Sequence, residues 1–207
     1  MKTTKLWAES LKVACDATLP PVPNFSKAYP RTAREIAIRA VILQGVVAVA
    51  YEVEARPIIE WFQAQRIWGD VTPKERAFIS RSAHAESERV QVQWKQEAQW
   101  ALLWMVGRVE SLGLPTNYCD TRRLADEVIP ALGDDLLPFI AESKLRSPGA
   151  LLAEDDRSYD LWCYALAAQR RGESLPSDLN LGVLRERRYA FEWMDGHQEW
   201  DEVTCDT

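Results

Sequence analysis

The middle of the chain contains Trp100-Ala101-Leu102-Leu103-Trp104-Met105-Val106, an unbroken run of apolar residues. As a helix, this run is apolar around its whole circumference, and only burial on all sides stabilises such a helix in water. The flanking sequence predicts a helix over residues 85–111, which Gly113 and Pro115 end. We therefore expect the run to form the axis of the hydrophobic core.

Helix-start signals recur on both sides of this run. Each combines a hydroxyl that can cap a helix with a suitable residue after it: Thr32 with Glu35, Thr72 with Pro73, and Ser147 with Pro148. Apolar residues follow at helical spacing and recur again over residues 181–194. We find no strand pattern and no repeat. The sequence predicts an all-α protein, an irregular single-domain helical bundle around a central Trp-rich helix.

The N-terminal segment differs from the rest of the chain. Residues 19–30 include Pro20, Pro21, Pro23 and Pro30, which remove backbone donors and disfavour helix. We divide the chain into an N-terminal segment with a proline-rich arm, residues 1–30, and a helical domain, residues 31–207.

Residues 1–18 lack a signal-peptide core, and the apolar run 40–51 is shorter than the roughly 20 residues that span a bilayer. We expect a cytoplasmic protein that does not bind a membrane.

The chain is acidic, with a formal net charge of -6 and an isoelectric point near 5.1. Nucleic-acid binding requires a surplus of Lys and Arg, so we expect no nucleic-acid partner, and a basic protein suits the charge better. Acidity can also serve solubility alone. The scattered cysteines and the two distant histidines form no zinc or redox motif, so no metal site and no cofactor is predicted.

Three charged residues occupy helix faces that are otherwise apolar. Glu97 and Asp155 lie on faces that carry tryptophan, and Arg187 shares a face with Ala190. Because a lone buried charge is costly, these residues must find partners. We predict that Arg187, together with Arg146, forms a buried ion-pair network with Glu97 or Asp155. The network is structural in one interpretation; in the other, a carboxylate tuned by burial acts as an acid–base group.

Two further groups of residues are candidates for binding. The C-terminal tail combines Trp200 with acidic residues that include Asp201 and Asp206. Such a tail is either solvated or a magnesium or calcium site, but the calcium-loop spacing is absent, and Trp200 indicates that the tail packs on the body. We expect Trp7 and Trp68, in weakly structured or turn segments, to be exposed contact residues, since tryptophan is favoured at interfaces.

Short stretches with the pattern of a known family follow one another along most of the chain. They are Arg31-Thr32-Ala33-Arg34-Glu35-Ile36, Thr72-Pro73-Lys74-Glu75-Arg76, Trp94-Lys95-Gln96-Glu97-Ala98, Lys144-Leu145-Arg146-Ser147, Glu186-Arg187-Arg188-Tyr189-Ala190-Phe191-Glu192-Trp193 and Trp200-Asp201-Glu202-Val203-Thr204-Cys205-Asp206-Thr207. Together they resemble a bacterial family known as domain of unknown function 4272, from about Pro21 to the C-terminus. Ala153, Asp160 and Glu192 depart from the expected pattern. The resemblance implies an α-helical fold and no activity. We also include Glu186, the residue before Arg187, in the predicted buried ion-pair network.

Two functions fit the sequence. We favour a non-catalytic protein-binding module, for example an acidic adaptor or an immunity protein that neutralises a basic toxin through complementary charge. The alternative is a hydrolase or transferase in which Glu97 or Asp155 is the general base and Arg146 or Arg187 holds an anionic group. The alternative requires a solvent-open cleft that reaches these residues. The sequence contains no glycine-rich phosphate loop and no paired-histidine metal motif.

Overall fold

The computed structural model describes residues 31–175 and 179–205, and every regular element within them is helical. The main helices are α1 (Ala33–Ala50), α2 (Ala55–Ala64), α3 (Pro73–Ile79), α4 (Glu86–Gln93), α5 (Lys95–Met105), α6 (Leu137–Glu142), α7 (Pro148–Arg170) and α8 (Leu181–Met194). A helical turn at Thr121–Arg123 continues into a π-helical turn at Leu124–Val128, and 3-10 turns lie at Trp68–Asp70 and Trp200–Glu202. The predicted all-α fold is confirmed. None of the described helices is long and apolar enough to cross a membrane.

Helix α1 begins at the predicted capping box. The Thr32 hydroxyl accepts a hydrogen bond from the Glu35 amide (3.2 Å), and the Glu35 carboxylate accepts one from the Thr32 amide (2.7 Å). Thr72 and Glu75 form the same capping box at the start of α3, and the Ser147 hydroxyl caps α7 by accepting a hydrogen bond from the Ala150 amide (3.3 Å). The hydroxyl side chains therefore fix where three of the main helices start.

The central helix is shorter than predicted. Residues 85–111 form two helices, α4 and α5, and α5 ends well before the predicted stop at Gly113. Gly107 accounts for the early end, because its φ of 75° is a left-handed conformation that glycine readily adopts after a helix. The Arg108 amide then donates back to the Leu103 carbonyl (2.9 Å). The apolar run is nevertheless helical up to Met105.

Helix α5 is the core axis that the sequence predicts. It is buried from Glu97 to Met105 and packs between α1 and α8, while α7 packs against α8. Helix α2 approaches α1 closely at Gly45, where a Cβ would lie only 2.5 Å from the Phe62 ring. Most of the described tryptophans are buried, namely Trp61, Trp100, Trp104, Trp162, Trp193 and Trp200.

The C-terminal tail folds back onto this bundle. Trp200 is 3% exposed, and its ring lies edge-on to the rings of Trp193 and Tyr189, with centroid distances of 5.4 and 4.8 Å. Val203 is also buried. The expectation that apolar side chains fasten the tail to the body is confirmed.

Candidate functional site

Among the described residues, four buried carboxylates each lie beside a cation from another helix. The pairs are Glu75 with Arg39, Glu97 with Arg187, Asp155 with Arg188, and Glu186 with Lys95. The carboxylate side chains are at most 8% exposed, and an unpaired charge at that depth would be costly. The pairs join α3 to α1, α5 to α8 and α7 to α8, so each also fixes how two helices pack.

Arg187 pairs with Glu97, one of the two partners that the sequence argument offers. Arg187 Nε lies 3.5 Å from Glu97 Oε2, and Nη1 donates to the Gly113 carbonyl (2.9 Å). Glu97 Oε1 accepts a hydrogen bond from the Cys119 amide. Among the described residues, neither Glu97 Oε2 nor Arg187 Nε has a hydrogen-bond partner. Oε2 is itself buried, so Arg187 is its charge partner in the interior.

Asp155 pairs with Arg188. In the sequence argument, Asp155 is one of two possible partners of Arg187. Arg188 donates Nη1 to Asp155 and Nε to Glu192 (2.9 Å), and its guanidinium carbon lies 5.4 Å from the Tyr159 ring centroid. Consecutive residues lie about 100° apart around a helix, so neighbouring arginines reach different neighbouring helices. Arg187 meets α5, and Arg188 meets α7.

Arg146 lies outside this network, which corrects the sequence argument. Its Nε donates to the Trp104 carbonyl (2.7 Å), and Nη2 donates to the carbonyls of Val109 (2.6 Å) and Glu110 (3.0 Å). Its guanidinium carbon also lies 4.8 Å from the Trp104 ring centroid. The last carbonyls of a helix lack partners within the helix, and Arg146 supplies donors for the carbonyls at and beyond the end of α5.

Glu186 is buried but pairs with Lys95 instead of its neighbour Arg187. Lys95 Nζ lies 2.8 Å from Glu186 Oε2 and 3.6 Å from the Tyr189 ring centroid. Burial and the nearby Glu186 carboxylate raise the pKa of Tyr189, whose hydroxyl donates to the Trp200 carbonyl. This pair therefore stabilises the side chains that hold the C-terminal tail.

Asp155 should make the stability of the protein depend on pH. Burial raises the pKa of Asp155 to about 6 from the ordinary 3.8; Arg188 opposes the rise, and Asp195 and Glu192 add to it. Because the folded pKa is the higher one, the folded state holds the proton more tightly, and stability falls as the pH rises through this interval. Between about pH 5 and pH 7.5, the wild type should lose on the order of 1 kcal/mol of unfolding free energy relative to Asp155→Asn. Urea denaturation at both pH values measures the difference.

The matched control for this prediction is Asp135→Asn. Asp135 is exposed, so its substitution should leave the pH dependence of the wild type unchanged. A difference between wild type and Asp155→Asn that stays constant over the same pH interval would contradict the prediction.

An open cleft lies beside Glu97. Its volume is about 370 Å³, within the range of roughly 300 to 1,000 Å³ that is usual for ligand pockets. Three segments contribute to it: the residue after α1, α4 with the start of α5, and residues 118–121. We call it the aromatic cleft, and its lining residues are Tyr51, Val90, Gln93, Trp94, Gln96, Glu97, Tyr118, Cys119 and Thr121.

Aromatic side chains form much of the lining. The rings of Trp94 and Tyr118 are in tilted contact with centroids 5.1 Å apart, and Tyr118 is 64% exposed. Tyr51 is 53% exposed, and its hydroxyl donates to Gln96 Oε1 (3.1 Å). A Cβ on Gly182 would overlap the Trp94 ring, so α8 packs directly against this ring and holds it in place.

The lining of the cleft combines aromatic and polar side chains with one thiol, Cys119. Among the described residues no Lys or Arg lines it, and Arg187 is engaged by Glu97 and by the Gly113 carbonyl. An anionic substrate group would therefore find no cation in the cleft. Burial and the nearby Glu97 carboxylate raise the pKa of the Cys119 thiol far above its ordinary value. The thiol is protonated at neutral pH and is a poor nucleophile.

The C-terminal motif borders a second cavity, of about 700 Å³. Asp201 accepts hydrogen bonds from the Thr72 hydroxyl (2.7 Å) and the Lys74 amide (2.9 Å) at the start of α3. Asp206 lies outside the described residues. Within residues 31–175 and 179–205, no group of three or more Asp, Glu, His or Cys side chains is placed to hold a metal ion. Asp201 and Trp200 therefore fasten the tail to the body.

Trp68, one of the two tryptophans that we expected to be exposed, is not exposed. Trp68 is half-buried against the hydrophobic core, and its carbonyl accepts a hydrogen bond from Arg76 (2.7 Å). Trp7 lies outside the described residues. Sequence reasoning missed Tyr51 and Tyr118, for which the available signals were weak: one follows the end of a helix, and the other lies in a loop.

Comparisons with curated proteins and with solved structures found no match to this chain. A family model described as domain of unknown function (DUF4272) matches residues 1–203. The match begins at the first residue, earlier than the start near Pro21 that the resemblance suggested. Because it covers nearly the whole sequence, the chain belongs to the DUF4272 family, a family of unknown function.

Proposed function

We propose that this protein is a non-catalytic module that binds a basic protein through the aromatic cleft. The observation that carries the proposal is the placement of two exposed tyrosines, Tyr51 and Tyr118, in the lining of an open cleft. Tyrosine is enriched at the centres of protein interfaces, because its ring buries a large area at little cost in side-chain entropy and its hydroxyl remains able to hydrogen-bond.

The net charge of the chain favours a cationic partner. Glu97 lines the cleft, Glu86 is exposed one turn before Val90 on α4, and Asp120 is exposed beside Cys119. The chain as a whole carries a formal net charge of -6. Complementary charge accelerates the association of two proteins and disfavours partners of the wrong sign.

An acidic adaptor, or an immunity protein that covers the basic surface of a toxin, would use a surface of this kind. A hydrolase or transferase would instead need a cation or a reactive nucleophile facing the cleft. Arg187 is already paired with Glu97, and the pKa of the Cys119 thiol is raised. These contacts support the binding function over the catalytic one.

Tyr118→Lys is expected to weaken the binding of the partner by roughly 30-fold or more, since it removes an exposed aromatic ring and adds a positive charge at the cleft. Tagged wild-type and variant proteins would be used to capture partners from native lysate. The captured protein would then be identified and purified, and its affinity for both proteins measured by calorimetry.

Leu137→Lys is the matched control for the added charge. Leu137 is 70% exposed, lies at the start of α6 and does not line the cleft, so its substitution should leave binding unchanged. The proposal is wrong if no partner is captured, if the captured protein is acidic, or if the two lysine variants bind it equally well.

A further inference from the structure

Building on the proposed function, we infer that the aromatic cleft binds a proline-rich segment of the partner in the polyproline II conformation. Polyproline II is an extended left-handed helix without internal hydrogen bonds, and grooves lined by aromatic side chains are a recurring site for it. Three features of the cleft support the inference. Its lining presents no unpaired charge, it offers hydrogen-bond donors, and aromatic rings are exposed in it.

The lining suits an uncharged segment. Within residues 31–175 and 179–205, Glu97 is the one charged residue of the lining. It is 1% exposed, and Arg187 and the Cys119 amide already engage its carboxylate. A charged side chain that entered the cleft would lose water without gaining a counter-ion there. The formal net charge of -6 therefore acts on basic residues of the partner that flank the bound segment.

The cleft also offers donors to a ligand that carries acceptors. The Tyr51 hydroxyl donates to Gln96 Oε1 (3.1 Å), which leaves the Gln96 amide nitrogen as a donor. That nitrogen, the Trp94 indole nitrogen and the Tyr118 hydroxyl donate to no described residue. None of the three is among the buried polar atoms that lack a partner, so they are not sealed in the interior.

A proline-rich segment is complementary to these donors. Proline has no backbone N–H, so such a segment presents carbonyl acceptors and few donors. Because polyproline II forms no internal hydrogen bonds, its carbonyls remain available to the cleft, whereas an α-helix uses its own carbonyls internally.

The aromatic rings are accessible, and one of them is held in place. Tyr51 and Tyr118 are 53% and 64% exposed, so a ligand can reach their rings. The Trp94 ring contacts Tyr118, with centroids 5.1 Å apart, and packs on Gly182 of α8. Proline rings bury apolar area on such aromatic faces. A proline-rich segment also has few conformations before it binds, so ordering it costs little entropy.

The test is a titration of the full chain with three peptides of equal charge. Each has capped ends, a lysine at either end and a six-residue centre of L-proline, of D-proline, or of alternating glycine and serine. The D-proline peptide has the same composition as the first and the opposite helical hand. We expect the L-proline peptide to shift the indole N–H NMR signal of Trp94. It should bind at least ~10-fold more tightly than either of the other peptides.

Variants of the lining should weaken this binding. Tyr118→Ala removes an exposed ring and should lower the affinity for the L-proline peptide by about 5-fold or more. Gln96→Leu removes a donor and should lower it by about 3-fold or more. Leu137→Ala is the control: Leu137 is 70% exposed on α6 and does not line the cleft, so this variant should bind as the wild type does.

This chain has a proline-rich stretch of its own, Pro20-Pro21-Val22-Pro23, which lies outside the described residues. Replacing its three prolines with alanine should leave the affinity for the L-proline peptide unchanged. A gain of ~10-fold or more would show that the chain's own stretch competes for the cleft, since a tethered competitor has a high effective concentration. That result would overturn the assignment of the cleft to a segment of the partner.

The inference is wrong if the L-proline and D-proline peptides bind equally, or if the L-proline peptide does not compete with the captured partner. Its failure can be distinguished from failure of the proposed function. If Tyr118→Lys loses the partner but the wild type does not prefer the L-proline peptide, the protein-binding function stands and proline recognition falls. If the wild type prefers the L-proline peptide but Tyr118→Lys captures the partner normally, the proposed function falls.

Discussion

Replacing Glu97 with glutamine is expected to lower the free energy of unfolding by about 3 to 5 kcal/mol, because it leaves a buried arginine without its counter-ion. Arg187 is 6% exposed, and in the variant its remaining hydrogen-bond partner is the neutral Gly113 carbonyl. Burial lowers the pKa of Arg187, the direction expected for a cation held in the interior. Denaturant unfolding near neutral pH measures the loss as a shift of the midpoint at unchanged slope.

A double-mutant cycle separates the lost pair from the unpaired charge. Glu97→Gln combined with Arg187→Met should recover much of the stability, since apolar replacement of a whole buried pair is often close to neutral. The exposed control is Glu142→Gln: Glu142 is 67% exposed in its pair with Arg108, and surface pairs contribute only about 0 to 1 kcal/mol. If Glu97→Gln cost no more than Glu142→Gln, Glu97 would not be the buried partner of Arg187.

Helix starts could be predicted from the sequence because their signals are local. A capping box such as that of Thr32 needs only the next three residues. The end of α5 at Met105 is only partly local, because Gly107 permits the left-handed turn and a distant segment stabilises it as well. The amides of Lys144 and Arg146 donate to the carbonyls of Val106 (3.1 Å) and Met105 (2.9 Å). These long-range bonds satisfy carbonyls that would otherwise favour continuing the helix.

The buried charges could be identified from the sequence, but their pairing could not. The helical period places Arg187 on an apolar stripe and therefore predicts that it is buried. That prediction assumes that α8 buries only one face. The helix packs against both α5 and α7, so Arg188 on the adjacent face is buried as well. The pair of Arg39 with Glu75 was missed for a related reason. Glu75 has the position of a capping residue, and only the packing of α3 on α1 shows that its carboxylate also takes two hydrogen bonds from Arg39, at 2.9 and 2.7 Å.

The aromatic cleft depends on tertiary structure even more strongly. Tyr51, Trp94 and Tyr118 come from segments far apart in the sequence, and no local pattern relates them. The sequence singled out Glu97 because its charge conflicts with an apolar face. A conflict of that kind is visible in one helix, whereas a cavity exists only where several segments meet.

Trp200→Ala is expected to lower the free energy of unfolding by about 3 to 5 kcal/mol, the usual cost of removing a large buried aromatic ring. Trp200 is 3% exposed and packs against the rings of Trp193 and Tyr189, so the space it leaves lies between the tail and the body. The same change should loosen Asp201, the next residue, whose carboxylate caps α3. Denaturant unfolding of both proteins measures the loss. Trp68→Ala is the control, because Trp68 is only half-buried and should cost less. A loss for Trp200→Ala no larger than that for Trp68→Ala would contradict the prediction that the buried ring of Trp200 stabilises the packing of the tail.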